Sequence, residues 1–340
     1  MAYVPVELLK CVVFLGYINK AGVEKFAGSA FWVSRPGPED IRGEYRPAYL
    51  VTAGHVIDDI KKDTTKTNKD VRIRLNMEKG KPKWHDAPMR FWEYHPDYPK
   101  VDLAMLKIGL VEGSDHVAWP LEFLVENENL DKEESDRKLE LGDELFFAGL
   151  FWPHKGESRN VPIVRIGNIS ALRGEPVTNQ NNDPMDVYLA ESRSIGGISG
   201  SPVFIDLMTA KRVHQPSYGS MAAAHDNASP SRFRLVGIVQ GHFDWEDKEP
   251  DSNQSKLGIN MGIAMIVPAE KLTRGLEVFM EEEKKEIEAA RKKKLSFVVF
   301  DSVQHQPNVT FQTTSTGFDV AVPSAGEFLN DLKKASRKKD

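Results

Sequence analysis

Gly197-Ile198-Ser199-Gly200-Ser201-Pro202, running directly into Val203-Phe204, is the stretch on which the reading of this chain turns. Glycine in the interior of a strand weakens it unless the backbone must bend sharply or approach another group closely. The stretch therefore reads as a small-residue turn that lifts Ser199 just ahead of an apolar strand. Two readings are open on these residues alone: a glycine-rich turn that merely opens a strand, or the seat of a nucleophile. A serine hydroxyl is a weak nucleophile until a base takes its proton, and the oxyanion that forms needs unobstructed backbone N–H donors. Gly197 and Ser199 are the candidate donors.

Two upstream segments carry the partners such a serine would need. Ala48-Tyr49-Leu50-Val51-Thr52-Ala53-Gly54-His55-Val56 is a short apolar strand that breaks at small residues and presents His55. His95-Pro96-Asp97-Tyr98-Pro99-Lys100 is rich in turn formers, and Val101-Asp102-Leu103-Ala104-Met105-Leu106-Lys107-Ile108 follows as a strand. An aspartate at the head of an apolar strand is costly to bury unless it is hydrogen-bonded or paired. His55 is the partner that would satisfy Asp102.

In the order His, Asp, Ser, the segments Thr52-Ala53-Gly54-His55-Val56, Asp102-Leu103-Ala104-Met105-Leu106 and Gly197–Pro202 resemble the chymotrypsin-like (trypsin-fold) serine peptidases of the disulfide-free, stand-alone kind. Three further segments fit the resemblance. Gly28-Ser29-Ala30-Phe31-Trp32-Val33 is similar to the strand before the histidine, and Leu141–Gly149 to the opening of the second barrel. Leu235–Gly241 is similar to the strand lining the substrate cleft, and the likeness covers about residues 8 to 270. The competing motif is the Gly-x-Ser-x-Gly elbow of α/β-hydrolases. Here its fifth position is Ser201, no alternating strand-helix pattern surrounds it, and its downstream histidine could only be His242.

The resemblance implies an all-β fold of two six-stranded antiparallel β-barrels, followed by a C-terminal helix and a short extension. The expected division is a first barrel over 1–120 with His55 and Asp102, a crossover over 121–138, and a second barrel over 139–267 with Ser199. A helix over 268–295 and an extension over 296–340 follow. Short Val-, Ile-, Leu- and Phe-rich runs between Gly, Pro, Asn and Asp clusters agree with barrels. The segments 174–186 and 214–232 read as loops flanking the site, either substrate-binding or surface decoration. Leu272, Leu276, Phe279, Met280 and Ile287 form one apolar helical stripe, expected to pack on the second barrel, with the charges of 281–294 as its solvated face. Leu295–Phe300, Val309–Gln312 and Phe318–Val322 read as strand-like, and Glu327–Asp340 as a short amphipathic helix with a basic tail. That tail is either frayed or a contact for a partner, a membrane surface or the cleft.

Composition bounds the function classes. The chain has 340 residues, 40% hydrophobic and 28% charged, which is ordinary for a globular protein. A net charge of −5 argues against nucleic acid as the main partner. No apolar run has membrane-spanning length, and the first ten residues lack the basic-then-apolar pattern of a signal peptide. Cys11 is the only cysteine, so no intrachain disulfide forms, and a reducing cytoplasm is the expected compartment. The sequons at Asn168, Asn227, Asn253 and Asn308 carry no meaning without secretion.

The resemblance also implies a mechanism without metal or organic cofactor, acting on a protein or peptide substrate. Ser199 attacks the carbonyl, His55 moves the proton, Asp102 orients the imidazole, and the Gly197 and Ser199 amides hold the oxyanion. Where digestive relatives place an aspartate that pairs with a newly cut N-terminus, this chain has Ile198, so activation by N-terminal clipping is not expected. Arg193, six residues before the nucleophile, with Gln240, Gly241 and His242, is the candidate set for primary specificity. A cation there disfavours basic side chains, unless Arg193 turns to solvent or bonds Glu191. The region after Leu295 is the candidate for control or partner docking. A different class stays open: a pseudopeptidase or binding module that keeps the fold.

Overall fold

Hydrophobic runs alternating with turns place most of the described strands in two largely antiparallel sheets. The computed structural model describes residues 4–35, 47–65, 70–125, 139–178, 184–192, 198–207, 232–245, 259–281, 285, 311–313 and 319–321. A short helix α1 (Val6–Leu9) leads into β1 (Val12–Ile18), β2 (Glu24–Ser34) and β3 (Ala48–Thr52). Helix α2 (Gly54–Asp63) follows, then β4 (Asp70–Leu75), β5 (Lys83–Pro88), β6 (Trp92–Tyr94), β7 (Ala104–Lys107) and the two-residue β8 (Trp119–Pro120). These strands form one sheet in the order β5-β4-β1-β2-β3-β7-β6, with β8 running parallel to β2.

The second half contains β9 (Glu144–Gly149), β10 (Ile163–Ala171), β11 (Val177–Thr178), β12 (Pro184–Met185), β13 (Tyr188–Glu191), β14 (Pro202–Asp206), β15 (Phe233–Trp245) and β16 (Ile259–Pro268). Six of them close a barrel in the order β10-β13-β16-β15-β14-β9, while β11 and β12 pair by themselves. The expected trypsin-like pair of β units is present, and its first half differs in detail. Among the described residues its ladder is an eight-stranded sheet that stops at β5 and β6 rather than a closed ring of six. β6 is only three residues long and enters from a 3-10 turn at Met89–Phe91, so it offers little edge to pair.

The strands nearest the middle of the molecule read as nearly continuous apolar runs because both of their faces are covered. In β1, Val13 and Leu15 face the interior of the first sheet, whereas Val12 and Phe14 join a core shared by both halves. β9 repeats this: Leu145 and Phe147 fill the barrel, and Phe146 and Ala148 enter the shared core. β4 shows the opposite case, strict alternation of buried and half-buried residues, because only one face is covered. A polar tie also crosses between halves. Arg74 on β4 donates to the carbonyls of Lys155 and Gly156 at 3.2 and 2.8 Å and to Asn160 Oδ1 at 3.0 Å.

A helix over 269–281 follows β16. Leu272 and Leu276 enter the shared core as the stripe predicts, but the helix lies against the first sheet rather than the second barrel alone. A Cβ on Gly275 would meet His95 Cδ2 at 2.8 Å and Met105 Cε at 3.0 Å, and Tyr49 meets Phe279 edge-on at 6.2 Å. The apolar outer residues of β3 and β7 need a cover, and this helix supplies it. Its start is held by Arg173, which pairs with Asp186 at 2.5 Å and with Glu270, while Lys271 reaches Asp186 at 3.1 Å. Within 174–186, where a loop was expected, the described residues include the paired β11 and β12, and Asp186 of the cluster directly follows β12.

Residues 283–340 form a separate unit. Within it, β17 (Phe311–Thr313) pairs antiparallel with β18 (Asp319–Ala321), with Phe311 opposite Ala321. The strand-like run 295–300, the tail 327–340, Ile287 and most of 214–232 lie outside the described residues. Among those described, no helix is long and apolar enough to cross a membrane.

Candidate active site

His55 is the second residue of α2, placed there because β3 ends at Thr52 and the chain turns at Ala53 into a helix whose Val56, Ile57 and Ile60 are buried. Asp102 stands between the His95–Lys100 loop and β7. Its Oδ2 lies 2.6 Å from His55 Nδ1, and its Oδ1 accepts the His55 backbone N–H at 2.8 Å. One carboxylate thus fixes both the ring and the main chain of the histidine. The Asp102 side chain is 5% exposed and that of His55 39%, so the acid is shielded while the imidazole keeps an open face. Nδ1 carries the proton in this pairing, which leaves Nε2 as the basic atom.

Glycine at position 54 is required by close approach. A Cβ there would run into the Tyr98 ring and lie 3.0 Å from Asp102 Oδ1. The Asp102 loop is tied within itself: Tyr98 N–H donates to His95 O at 2.8 Å, Val101 N–H to Asp97 O at 3.1 Å, and His95 N–H to Leu103 O at 3.0 Å.

Ser199 sits on a tight turn in which Ser201 N–H donates to Ile198 O at 2.9 Å. The turn is pinned on two sides. Gly200 N–H donates to Val239 O and Val239 N–H to Ser201 O, while Ser29 N–H on β2 donates to Ser199 O at 2.9 Å. Gly200 has φ +80°, and a Cβ there would collide with Ser29 O and Thr52 Oγ1 and lie 3.2 Å from Ala53 N. A Cβ on Gly28 would meet Ser199 O at 3.0 Å and Val56 Cγ2 at 3.1 Å. The structure thus brings the Ser199 turn against the segment 52–56 that carries His55. Ser199 is partly exposed, and the Gly200 and Ser201 amides beside it are committed to Val239 O and Ile198 O.

Ile198 is 2% exposed and packs in the barrel core with Leu145, Phe147, Val203 and Val239. An ion pair has no place in that setting. Gly197 and Arg193 lie outside the described residues, as does the His242 side chain. Gln240 Nε2 donates to Met185 Sδ at 3.3 Å, and Gly241 stands opposite Met265 in the β15–β16 ladder.

Sequence reasoning missed several supporting groups. Asp58 in α2 accepts from Tyr94 OH at 2.7 Å and from Tyr98 OH. Thr52 Oγ1 donates to Ser29 O at 2.7 Å, and Ser29 Oγ accepts from Leu150 N–H at 2.8 Å. His116, buried away from the site, is structural: its Nδ1 donates to Lys10 O and its Nε2 accepts from Asn76 N–H, both at 2.8 Å.

Burial works against charging His55, but the Asp102 hydrogen bond and the charges of Asp102, Asp59 and Asp58 outweigh it, so its pKa lies above the ordinary imidazole value. Burial and the bonds to Asp58 push the Tyr94 and Tyr98 hydroxyls up, so both remain protonated donors. Among the described residues, no group of three or more His, Cys, Asp or Glu is placed to hold a metal ion.

No family model matches the chain, and no curated protein matches it. Solved structures do. The HtrA-type protease AlgW with decapeptide has 17% identity and a TM-score of 0.43, covering 81% of this chain and 65% of its own, so this chain spans less than two thirds of that protein. Deg5 has 17% identity and a TM-score of 0.44, covering 79% of this chain and 88% of its own. The MamO protease domain from Magnetospirillum magneticum has 13% identity and a TM-score of 0.43, covering 79% of this chain and 96% of its own. Among the solved structures this chain is similar to, at low identity, are thus proteases described as HtrA-type.

Proposed function

We propose that this chain is a serine endopeptidase acting through Ser199, His55 and Asp102 with an acyl-enzyme intermediate. The observation that carries the reading is the double hold of Asp102 on His55, at 2.6 Å to Nδ1 and 2.8 Å to the backbone N–H, next to the pinned Ser199 turn. With Nδ1–H committed to Asp102, Nε2 is free to accept the Ser199 proton as Oγ attacks the scissile carbonyl. His55 then returns the proton to the leaving amine. The Ser199 amide, with that of Gly197, stabilises the oxyanion, and water repeats the sequence to release the acid.

Ile198 in the barrel core supports a resting state that does not depend on an N-terminal ion pair. The lone, buried Cys11, whose thiol burial pushes up to about 12, supports a reducing compartment and thus the cytoplasm. Non-basic primary specificity around Arg193 belongs to the same reading, as does a controlling or docking role for 296–340.

The test is covalent labelling of Ser199 by a fluorophosphonate together with hydrolysis of a peptide library. Ser199→Ala should keep the fold and lose both labelling and turnover, down to the residual catalysis of about 10³–10⁴ over water that binding alone supports. A folded wild-type protein that neither labels nor cleaves would move the reading to a binding module.

A further inference from the structure

Asp102 can hold His55 only as firmly as its own loop is held against α2. The loop's backbone hydrogen bonds close within the segment 95–103 and do not reach the helix. Among the described residues, the polar ties across this gap come from two carboxylates pointing in opposite directions. Asp102, on the loop side, receives the two His55 bonds. Asp58, on the helix side, receives the Tyr94 hydroxyl on Oδ1 at 2.7 Å and the Tyr98 hydroxyl on Oδ2.

The placement of these residues gives the second tie leverage. Asp58 is three residues after His55, so the two share a helix face. Tyr94 ends β6 and Tyr98 lies four residues before Asp102, so one carboxylate clamps both ends of the loop's first arm. The two rings pack at 4.7 Å with a 45° tilt, and the Tyr98 ring fills the space left by the missing side chain of Gly54, next to Asp102 Oδ1.

We propose that Asp58, acting through Tyr94 and Tyr98, is a positioning residue that holds the Asp102 loop in register with the His55 helix; this rests on the peptidase reading of His55, Asp102 and Ser199. The hydrogen bonds of Asp58 go to the two tyrosine hydroxyls and not to His55, Asp102 or Ser199. The groups facing His55 are Asp102 from the loop and Asp58 and Asp59 from its own helix, with Tyr94 and Tyr98 beside them; Lys62 pairs with Asp59 at 3.1 Å. Asp58 therefore acts on the imidazole in two separable ways, by geometry through the tyrosines and by charge through space.

Three variants separate them. Tyr94→Phe and Tyr98→Phe keep the rings and the Asp58 charge but remove the hydroxyl donors. In these, kcat should fall about 10- to 100-fold, the scale of a misplaced catalytic group, with KM changed less than about threefold. The acid limb of the kcat profile should stay in place. Asp58→Asn should lower kcat similarly and also move the acid limb to lower pH. Asp59→Asn, which touches no tyrosine, should move the limb and leave kcat at its plateau unchanged. Rescue of kcat in Asp58→Glu supports the clamp.

Nitrogen-15 imidazole titration of His55 and the low-field Nδ1–H proton resonance are read on the same samples and do not need turnover. A sharp low-field resonance in wild type that broadens in Tyr98→Phe supports the proposal even if no peptide is cleaved, in which case only the peptidase reading fails. Should Asp58→Asn not fold, the tyrosine variants decide. Unchanged kcat and an unchanged low-field resonance in folded Tyr98→Phe and Tyr94→Phe overturn it.

Discussion

Gly200→Ala adds one methyl group beside the proposed nucleophile, and two separate costs follow from where it would sit. The residue has φ +80°, a conformation that costs an L-residue about 1–2 kcal/mol. The methyl would also collide with Ser29 O and Thr52 Oγ1, both held in place by their own hydrogen bond. Overpacking of this kind costs about 1–3 kcal/mol, for a combined loss of about 2–5 kcal/mol. Gly142→Ala isolates the first cost: its φ is +87°, and nothing lies within 4 Å of the added Cβ, so about 1–2 kcal/mol is expected. Denaturant midpoints of the two variants against wild type give the difference. The same displacement should reach Ser199, because Ser29 N–H holds its carbonyl at 2.9 Å, and fluorophosphonate labelling should slow about 10²-fold in Gly200→Ala but not in Gly142→Ala. Equal destabilisation of the two variants within about 0.5 kcal/mol, with equal labelling, would refute the close packing of the turn against β2 and Thr52.

Two further outcomes rest on histidines. Because Asp102, Asp59 and Asp58 hold the His55 pKa above its ordinary value, hydrolysis should rise with pH through a midpoint above about 6.5. Asp102→Asn should move that midpoint down and lower kcat roughly 10⁴-fold, and an unmoved midpoint in the pH profile would count against the pairing. The raised pKa also means that whatever stability the pair gives is fully present below the ordinary value and is lost as pH rises through the folded one; the half-open imidazole keeps this small. His116 works with the opposite sign. Burial depresses its pKa, and a second proton would set Nε2–H against the Asn76 N–H, so its contribution is present above the ordinary value and lost as pH falls through the folded one. His116→Ala should cost about 1–3 kcal/mol near pH 7.5 by leaving the Asn76 N–H unpaired, and less near pH 5, as chemical denaturation at the two pH values would show.

Much of the fold was legible because strands covered on both faces leave an unmistakable apolar run. The segments around Phe14, Phe31, Leu50, Phe146, Phe204 and Ile238 all read as strands, and all lie in or beside the shared core. What went unread lacked that signal. β5 (Lys83–Pro88) has one buried residue in six, so nothing in its composition marks pairing. α2 was hidden for another reason: its buried Val56, Ile57 and Ile60 do follow helical spacing, but the segment is short and opens on Gly54 with no side-chain cap, so it reads as the tail of β3. The 269–281 helix was read correctly as amphipathic, yet its partner depends on which outer face needs covering, and that is fixed by Tyr49 and Met105 far upstream.

The site divides along the same line. Ser199, His55 and Asp102 stand out in sequence because each breaks a local rule: a serine between glycines, a polar ring after a strand, a carboxylate entering an apolar run. Gly54 and Gly200 break rules too, and the structure gives the reason, since backbone and side chains from elsewhere occupy the space of their missing Cβ atoms. Asp58, Tyr94, Tyr98 and Ser29 break none. An aspartate on a charged helix, tyrosines near a turn and a serine after a glycine are all ordinary in place, and only the crossing of α2 with the 94–103 segment makes them partners. The residues proposed to do chemistry carry unusual groups at unusual positions, whereas those proposed to hold them need only the right neighbour. The first kind is written locally, and the second is written in the fold.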